Sequence, residues 1–214
     1  MKQFYFFLIL VVLLSCGQKK KYHKDKAEAN NMLSEAVVDI IQHREKLNEE
    51  FKNPETSPLP DRYRKSFDGL DFFAPDTNYR ITAKFERTPD AVPFLMSTTT
   101  SEKTTEVVYG VAHFELNGKQ HRLEIYQSPE LIKQEKYRNY LFLPFLDDTN
   151  GEETYGGGRY IDLTIPQGET IVIDFNKAYN PYCVYNRKYS CPLVPRQNYL
   201  QTKVMAGVKD FAKK

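Results

Sequence analysis

The chain has 214 residues, of which 41% are apolar, and its 30 basic side chains nearly balance 28 acidic ones. This length supplies one domain with a well-buried core and falls short of two ordinary domains. Because the net charge is only +2, the composition argues against nucleic acid as a partner, which would require a strongly basic surface.

The first fifteen residues have the pattern of an export signal. Lys2 precedes an apolar run from Phe4 to Leu14, and a small residue, Ser15, follows it. As a helix this run would reach about 16 Å, roughly half of a ~30 Å hydrocarbon core. The segment is therefore predicted to be a processed signal and not a permanent span.

The junction Ser15-Cys16, after two leucines, resembles the lipobox of bacterial lipoproteins. In those proteins the peptidase cuts before the cysteine, and the thiol carries the lipid. We therefore predict a lipoprotein signal peptide over residues 1–15 and a lipidated Cys16, with several acyl chains such as palmitate as the membrane anchor. The expected location is the cell envelope, on the periplasmic face of a membrane or at the cell surface. The alternative is an ordinary secretory signal with an incidental Cys16.

Residues 16–26 are predicted to be a basic tether, because lysines dominate the run 19–26. Such a run is either a solvated linker or a segment that lies against an anionic leaflet.

Residues 27–53 are predicted to form one amphipathic helix. Apolar residues recur there at three- and four-residue spacing, namely Leu33, Val37, Ile40, Ile41, Leu47 and Phe51. Pro54 ends the helix, because proline disfavours a helical conformation in the residue before it. The apolar stripe is expected to dock on the rest of the domain.

Residues 54–214 are predicted to form a β-rich module that makes one domain with the helix. Alternating or continuous apolar patterns indicate strands at residues 79–86, 107–126, 140–145, 159–165 and 170–175. Residues 97–105, rich in threonine, have no period and are predicted to be an exposed loop. One helix followed by strands with short connections predicts an α+β fold, mainly antiparallel β, with the N-terminal helix packed on a β roll or barrel.

The clearest local prediction is a hairpin over residues 107–126. Asn117-Gly118 suits a type I′ turn, in which both residues take positive φ. The resulting register places Phe114 opposite His121 and puts His113 on the other face. A metal site made from these two histidines is therefore excluded.

The stretch from residue 147 to residue 198 concentrates glycine, proline, amide and tyrosine residues, and we predict the functional site there. The candidate binding residues are Asp147, Thr149, Tyr155, Arg159, Asp174, Asn176, Tyr179, Asn180 and Asn198. They would surround a small polar pocket for a small polar or anionic ligand. The structural interpretation, in which these side chains only satisfy irregular backbone, is equally well supported.

Arg159 follows three glycines and would present its planar guanidinium to a carboxylate, either of a ligand or of Asp147 or Asp174. If residues 159–165 and 170–175 pair as a hairpin, Arg159 and Asp174 become neighbours. No nucleotide-binding motif follows the glycines, and the residues suggest no cofactor.

Cys183 and Cys191 are the other two cysteines. In an exported protein a disulfide between them is the leading interpretation. Zinc would need two more ligands, and no further cysteine or histidine lies nearby in the sequence. A cysteine nucleophile would need a histidine that no motif places.

The same stretch resembles a bacterial family known as domain of unknown function 1684. The resemblance rests on Asp147-Asp-Thr-Asn-Gly-Glu-Glu-Thr-Tyr-Gly-Gly-Gly-Arg159, on Asp174-Phe-Asn-Lys-Ala-Tyr-Asn-Pro181, and on Cys183, Cys191, Asn198 and Ala206-Gly207. It extends over about residues 40–211, and the chain looks like a short, lipoprotein-type member. The family brings no established activity.

Two functional hypotheses follow. The first is a lipid-anchored binding or scaffolding module with a small polar pocket. The second is a hydrolase-type enzyme that uses Asp174 or Asp147 as a base and Arg159 as an electrostatic stabiliser. A carboxylate closed internally on Arg159 favours the first hypothesis, and an open cleft that holds a carboxyl of raised pKa favours the second.

Overall fold

The computed structural model describes residues 21–211, with side chains from residue 35 onward. The predicted signal peptide and Cys16 therefore lie outside the described residues. Residues from Ala36 onward form one compact unit. Within the described chain no helix combines the length and the apolar character that a bilayer crossing requires.

The first element is the helix α1, Lys21–Lys52. Its end agrees with the prediction, but its start lies inside the segment predicted to be a tether. The helix thus extends into residues 21–26, whose lysines are good helix formers.

Helix α1 docks on the domain through Ile40 and Phe51, which are buried. The Phe51 ring meets the Tyr185 ring edge-on, with centroids 4.7 Å apart. Asn48 accepts a hydrogen bond from the backbone N–H of Leu70 at 2.9 Å. The predicted docking is confirmed, although Ile41, assigned to the same stripe, is exposed.

Within residues 21–211 eight strands form one sheet, preceded by a short helix α2, Asp61–Arg64. The strands are β1 Arg80–Arg87, β2 Phe94–Ser97, β3 Lys103–Leu116, β4 Lys119–Gln127, β5 Tyr140–Asp147, β6 Arg159–Thr164, β7 Thr170–Asp174 and β8 Tyr199–Leu200. The main path runs β6-β5-β4-β3-β1-β7, while β2 pairs with β3 and β8 pairs with β5. Every pairing is antiparallel except that of β5 with β8. The predicted class, α+β and mainly antiparallel β, is confirmed.

The hairpin of β3 and β4 has the predicted register. Leu116 pairs with Lys119 and Phe114 with His121, around a turn in which Asn117 and Gly118 have φ of 53° and 73°. A β-bulge between Val108 and Gly110 shifts the register further along. Two residues that accept positive φ, together with the alternation of side chains, therefore set the register of this hairpin.

The sheet curls around its core, and alternate residues of β5 and β6 face opposite sides. Leu141, Leu143 and Ile161 belong to the inner apolar cluster. Phe142 and Tyr160 belong to a second cluster on the outer face. Tyr160 and Tyr179 exchange backbone hydrogen bonds of 2.9 and 3.0 Å, which joins end strand β6 to the segment that follows the other end strand, β7.

Two predictions about pairing are wrong. Strands β6 and β7 do not form a hairpin, because β6 pairs with β5 and β7 pairs with β1. The short connection between them instead crosses from one end of the curled sheet to the other. The loop predicted over residues 97–105 is also shorter, since β3 already begins at Lys103 and its first residues pair with β2.

Candidate functional site

An open cleft of about 490 Å³ lies on the outer face of β5 and β6. From these strands it is lined by Tyr140, Phe142, Tyr160 and Asp162. These are the alternate residues that the strand periodicity turns away from the inner core. The volume is in the range of pockets that bind small molecules.

Asp162 and two tyrosines form a hydrogen-bonded group in this cleft. Tyr140 donates its hydroxyl to Asp162 Oδ1 at 2.8 Å, and Tyr179 donates to the same oxygen at 2.6 Å. Burial, followed by the charge of Asp162, raises the pKa of both phenols. Both tyrosines are therefore neutral donors at physiological pH.

Glu106 of β3 reaches the same cleft. Its residue is only 5% exposed, and no ion pair holds it among the described side chains. Burial raises the pKa of Glu106 to about 7, against a weaker opposing effect of the Thr104 hydroxyl. Near neutral pH the cleft thus contains a carboxyl that gains or loses a proton easily.

Helix α1 supplies another wall through His43, Lys46, Leu47 and Glu50. These positions follow i, i+3, i+4, i+7 spacing and so share one face of the helix. The Nε2 atom of His43 is buried without a hydrogen-bond partner. Burial, followed by the charge of Lys177, lowers the pKa of His43 and favours its neutral form.

The segment after β7 closes the third side with Tyr182, Tyr189 and Cys191. Both cysteines are free thiols in the structure, and the Cys183 N–H donates to Cys191 Sγ at 3.1 Å. The hydrogen bond between the two thiol side chains lowers the pKa of Cys183 to about 6, whereas the same side-chain contact raises the pKa of Cys191. The pair is adjacent, as the disulfide prediction requires. Within the described residues no cluster of three metal-ligating side chains occurs around it or elsewhere.

Arg159 and Asp147 lie on the opposite, inner side of the sheet in a closed network. Arg159 Nη2 donates to Asp147 Oδ2 at 2.7 Å, and both side chains are 0% exposed. The guanidinium also donates to the carbonyl oxygens of Val204, at 2.9 Å, and of Ala206. Burial lowers the pKa of Arg159, and the charge of Asp147 opposes that shift.

Both carboxylate oxygens of Asp147 accept hydrogen bonds. Its Oδ1 accepts hydrogen bonds from the backbone N–H groups of Thr149 at 2.9 Å and of Val204 at 3.1 Å. The pair thereby fastens the C-terminal segment to the glycine-rich loop, and it presents no free group to a ligand. Asp147 also borders a second depression of about 340 Å³, but its covered carboxylate cannot reach a molecule there.

The glycine-rich loop, residues 148–158, positions Arg159 in this network. Gly158 has φ of +89°, and a Cβ there would lie 2.6 Å from the carbonyl oxygen of Phe145. Only glycine therefore lets the chain turn inward just before Arg159. Thr149, another predicted binding residue, has its hydroxyl 2.8 Å from that of Thr154 inside the loop. Tyr155 lies beside Gly157 and does not line the cleft.

Asp174 and Asn176 shape the chain at the end of β7. Asp174 Oδ2 accepts from Arg80 at 3.0 Å, and its Oδ1 accepts from the backbone N–H of Asn176 at 3.0 Å. The Asn176 amide bonds both the N–H and the carbonyl of Asp76. Arg159 and Asp174 therefore have separate partners, and their predicted pairing is wrong because the hairpin that would join them does not form.

The Asn198 side chain links strands β4 and β5. It accepts from the Glu124 N–H at 2.9 Å and donates to the carbonyl oxygens of Glu124 and Pro144, at 2.8 and 2.7 Å. Strands β4 and β5 share the single register pair Tyr126 and Phe142, and the amide bridges the gap beside it. Asn180 donates to the Lys209 carbonyl at 2.9 Å. Both asparagines are buried and structural.

The comparisons with known proteins agree with the residue pattern. A family model described as "Protein of unknown function (DUF1684)" matches residues 65–209. The chain belongs to this family. The match contains the sheet and the segment after β7, whereas the cleft wall formed by α1 precedes it.

A solved structure is also similar, an uncharacterised protein of Haloarcula marismortui determined by solution NMR. It is 30% identical, with a TM-score of 0.63, and the alignment covers 87% of this chain and 96% of that one. No curated protein matches the chain. The family and this relative establish kinship and fold without naming an activity.

Of the predicted binding residues, Tyr179 is the one that lines the cleft. Sequence reasoning missed Glu106, Asp162, Tyr160 and the wall formed by α1. The strand alternation did contain a signal, since it places Tyr140, Tyr160 and Asp162 on the face away from the core. No local sequence pattern distinguished Glu106, because the residues that precede it in β3 are also polar.

Proposed function

We propose that this protein is a small-molecule-binding module of the cell envelope, held to a membrane by a lipid on Cys16. The observation that supports it is the cleft on the outer face of β5 and β6, where tyrosines and three carboxyl groups converge in a volume of about 490 Å³. The buried guanidinium of Arg159 and carboxylate of Asp147 are paired with each other and covered. The groups of the cleft, by contrast, remain open to a ligand.

Co-purification tests the binding function. The full-length chain, isolated under mild conditions, is expected to carry a small molecule that native mass spectrometry detects. Tyr182→Ala should abolish its retention, because Tyr182 lines the cleft and is 36% exposed. Tyr199→Ala is the matched control, since Tyr199 is 46% exposed and lies outside this cleft. Equal ligand content in the two variants would refute the assignment of the cleft.

The lipid anchor has its own test. Cys16→Ser is expected to leave unprocessed precursor without a metabolic palmitate label, because the thiol of Cys16 is the acceptor in the predicted signal. Cys183→Ser, which leaves that thiol intact, should be processed and labelled like the natural chain. Normal labelling of the Cys16 variant would refute the anchor and, with it, the proposed location.

Acid–base catalysis is the second candidate, and the raised pKa of Glu106, about 7, favours it. A carboxyl with this pKa can both accept and donate a proton near neutral pH. The hydrolase built on Asp174 or Asp147 with Arg159 finds no support. Asp147 and Arg159 are fully covered, and Asp174 is paired with Arg80 instead. Incubating the co-purified molecule with the natural chain and with Glu106→Gln separates the candidates. Conversion by the natural chain alone would indicate an enzyme, and an unchanged molecule with both would indicate a binding module.

A further inference from the structure

The charged side chains of the cleft are not balanced. Glu50, Glu106 and Asp162 line it, and Lys46 is the cation among its lining residues. No ion pair within 4.0 Å engages any of these four within the side chains that the structure describes. Lys46 is exposed to solvent, whereas Glu106 is buried. The inner part of the cleft therefore has negative character without an internal counter-ion.

Three tyrosine hydroxyls of the cleft already have acceptors. A tyrosine hydroxyl has one proton to donate. Tyr140 and Tyr179 donate theirs to Asp162, and Tyr160 donates to the carbonyl oxygen of Pro192. The groups around Asp162 therefore offer a ligand acceptors, namely carboxylate oxygens and phenol lone pairs. The hydroxyls of Ser128, Tyr182 and Tyr189 lie elsewhere in the lining.

Aromatic rings complete the walls. Phe142 and Tyr160 pack edge-on with centroids 4.8 Å apart, and Tyr182 and Tyr189 do so at 5.4 Å. Aromatic faces attract organic cations, most strongly where water is excluded. An anion, by contrast, would meet carboxylates here.

We propose that the cleft binds a protonated organic amine, whose N–H groups donate to Asp162 and Glu106 while its carbon skeleton packs on the tyrosines. This inference rests on the proposed binding function and specifies its ligand class. The carboxylates without an internal counter-ion and the aromatic walls together favour an ammonium ion over an alcohol or a carboxylate.

Proton linkage follows from the position of Glu106. The titratable groups that line the cleft with it are His43, Lys46 and Glu50 of α1, Tyr140 of β5, Tyr160 and Asp162 of β6, and Tyr179, Tyr182, Tyr189 and Cys191 of the segment after β7. Without ligand the pKa of Glu106 is about 7. An ammonium ion prefers the ionised carboxylate, so amine affinity should rise about tenfold between pH 6 and pH 8.

The experiment uses the full-length chain and fragment triplets, each consisting of an amine, an alcohol and a carboxylate on one carbon skeleton. Phenethylamine, 2-phenylethanol and 3-phenylpropionate form one such triplet. Titration calorimetry is expected to show amines binding at least tenfold more tightly than their partners. Glu106→Gln should weaken amine binding at least tenfold at pH 8 and remove its pH dependence. Glu115→Gln, the same change at an exposed site on the same strand, should do neither.

The possible failures are distinguishable. If alcohols or carboxylates bind as tightly as amines, and Tyr182→Ala abolishes that binding, the amine assignment is overturned and the binding function stands. If Glu106→Gln binds amines like the natural chain, the assignment is likewise overturned. If no fragment and no co-purified molecule depends on Tyr182, the binding function falls together with the amine.

Discussion

Arg159 and Tyr160 are neighbours in the chain, yet they belong to two regions with opposite character. The Arg159 side chain lies on the inner side of the curled sheet, where its guanidinium and the carboxylate of Asp147 are fully covered and hydrogen-bonded to each other. Tyr160 points outward and lines the open cleft. The inner region contains the denser polar sequence, but the outer region has the groups that are available to a ligand.

The comparison shows what a dense polar motif means in a small β domain. Irregular backbone in the interior has N–H and C=O groups that must be paired. Asp147, Asn176 and Asn198 supply those partners, so their conspicuous sequence reflects structural need. A binding surface requires the reverse, since its groups must stay partly unpaired until a ligand arrives.

Breaking the inner region should have the largest effect. Arg159→Ala is expected to lower the free energy of unfolding by about 3–5 kcal/mol, because Asp147 would remain as a buried charge without its partner. Urea unfolding measures the change. Arg138→Ala is the control, since its side chain is 67% exposed beside Glu135, and it should cost less than about 1 kcal/mol. Similar losses in the two variants would contradict the contrast between the regions.

Asn198→Asp should have the next largest effect, about 3 kcal/mol, because the new carboxylate faces two carbonyl oxygens to which the amide had donated. Thermal and urea unfolding would report it. Asn186→Asp should be nearly neutral, since its side-chain oxygen only accepts a bond from the Lys188 N–H, which aspartate retains. Natural stability in the Asn198→Asp variant would show that the amide donors are dispensable.

Cys183 and Cys191, at the border of the cleft, allow a further test of stability. We expect them to be oxidised to a disulfide in the exported protein, which would close a loop of nine residues and stabilise the domain by about 2.5 kcal/mol. The depressed pKa of Cys183, about 6, provides a thiolate for that reaction. Alkylation before and after reduction should differ by two modified cysteines. Two thiols that react freely without reductant would argue against the bond.

The last expected effect has the opposite sign, because it is a gain in stability. An unfolded glutamate releases its proton near pH 4.5, whereas folded Glu106 retains it until about pH 7. The free energy of unfolding should therefore fall between these pH values and remain level above them. Glu106→Gln removes that loss and should be more stable than the natural chain by up to about 3 kcal/mol at pH 8. Unfolding curves at pH 4.5 and pH 8 test this, with Glu115→Gln as the control that keeps the natural pH dependence.

The sequence predicted the parts of the fold that depend on neighbouring residues. The turn at Asn117-Gly118 determined a hairpin, Pro54 marked the end of a helix, and alternation located the strands. The strand that pairs with β6 was not predictable in this way. The short connection between β6 and β7 is compatible with a hairpin of the two strands and also with a crossing between the two ends of a curled sheet. The same limit hid the cleft, since Glu106, Tyr140 and Tyr182 come from distant segments and converge only through that curvature.

The polar residues of α1 that border the cleft differ from the apolar residues that hold the helix in place, and Leu47 belongs to both the cleft wall and the apolar cluster of Phe51. His43, Lys46 and Glu50 line the cleft, whereas Ile40 and Phe51 anchor the helix in the domain. Exchanging the three polar residues would therefore alter the chemistry presented to a ligand and leave the core contacts intact. Selectivity in this architecture is adjustable on one helix face, which makes that face the natural place to engineer new ligand preferences.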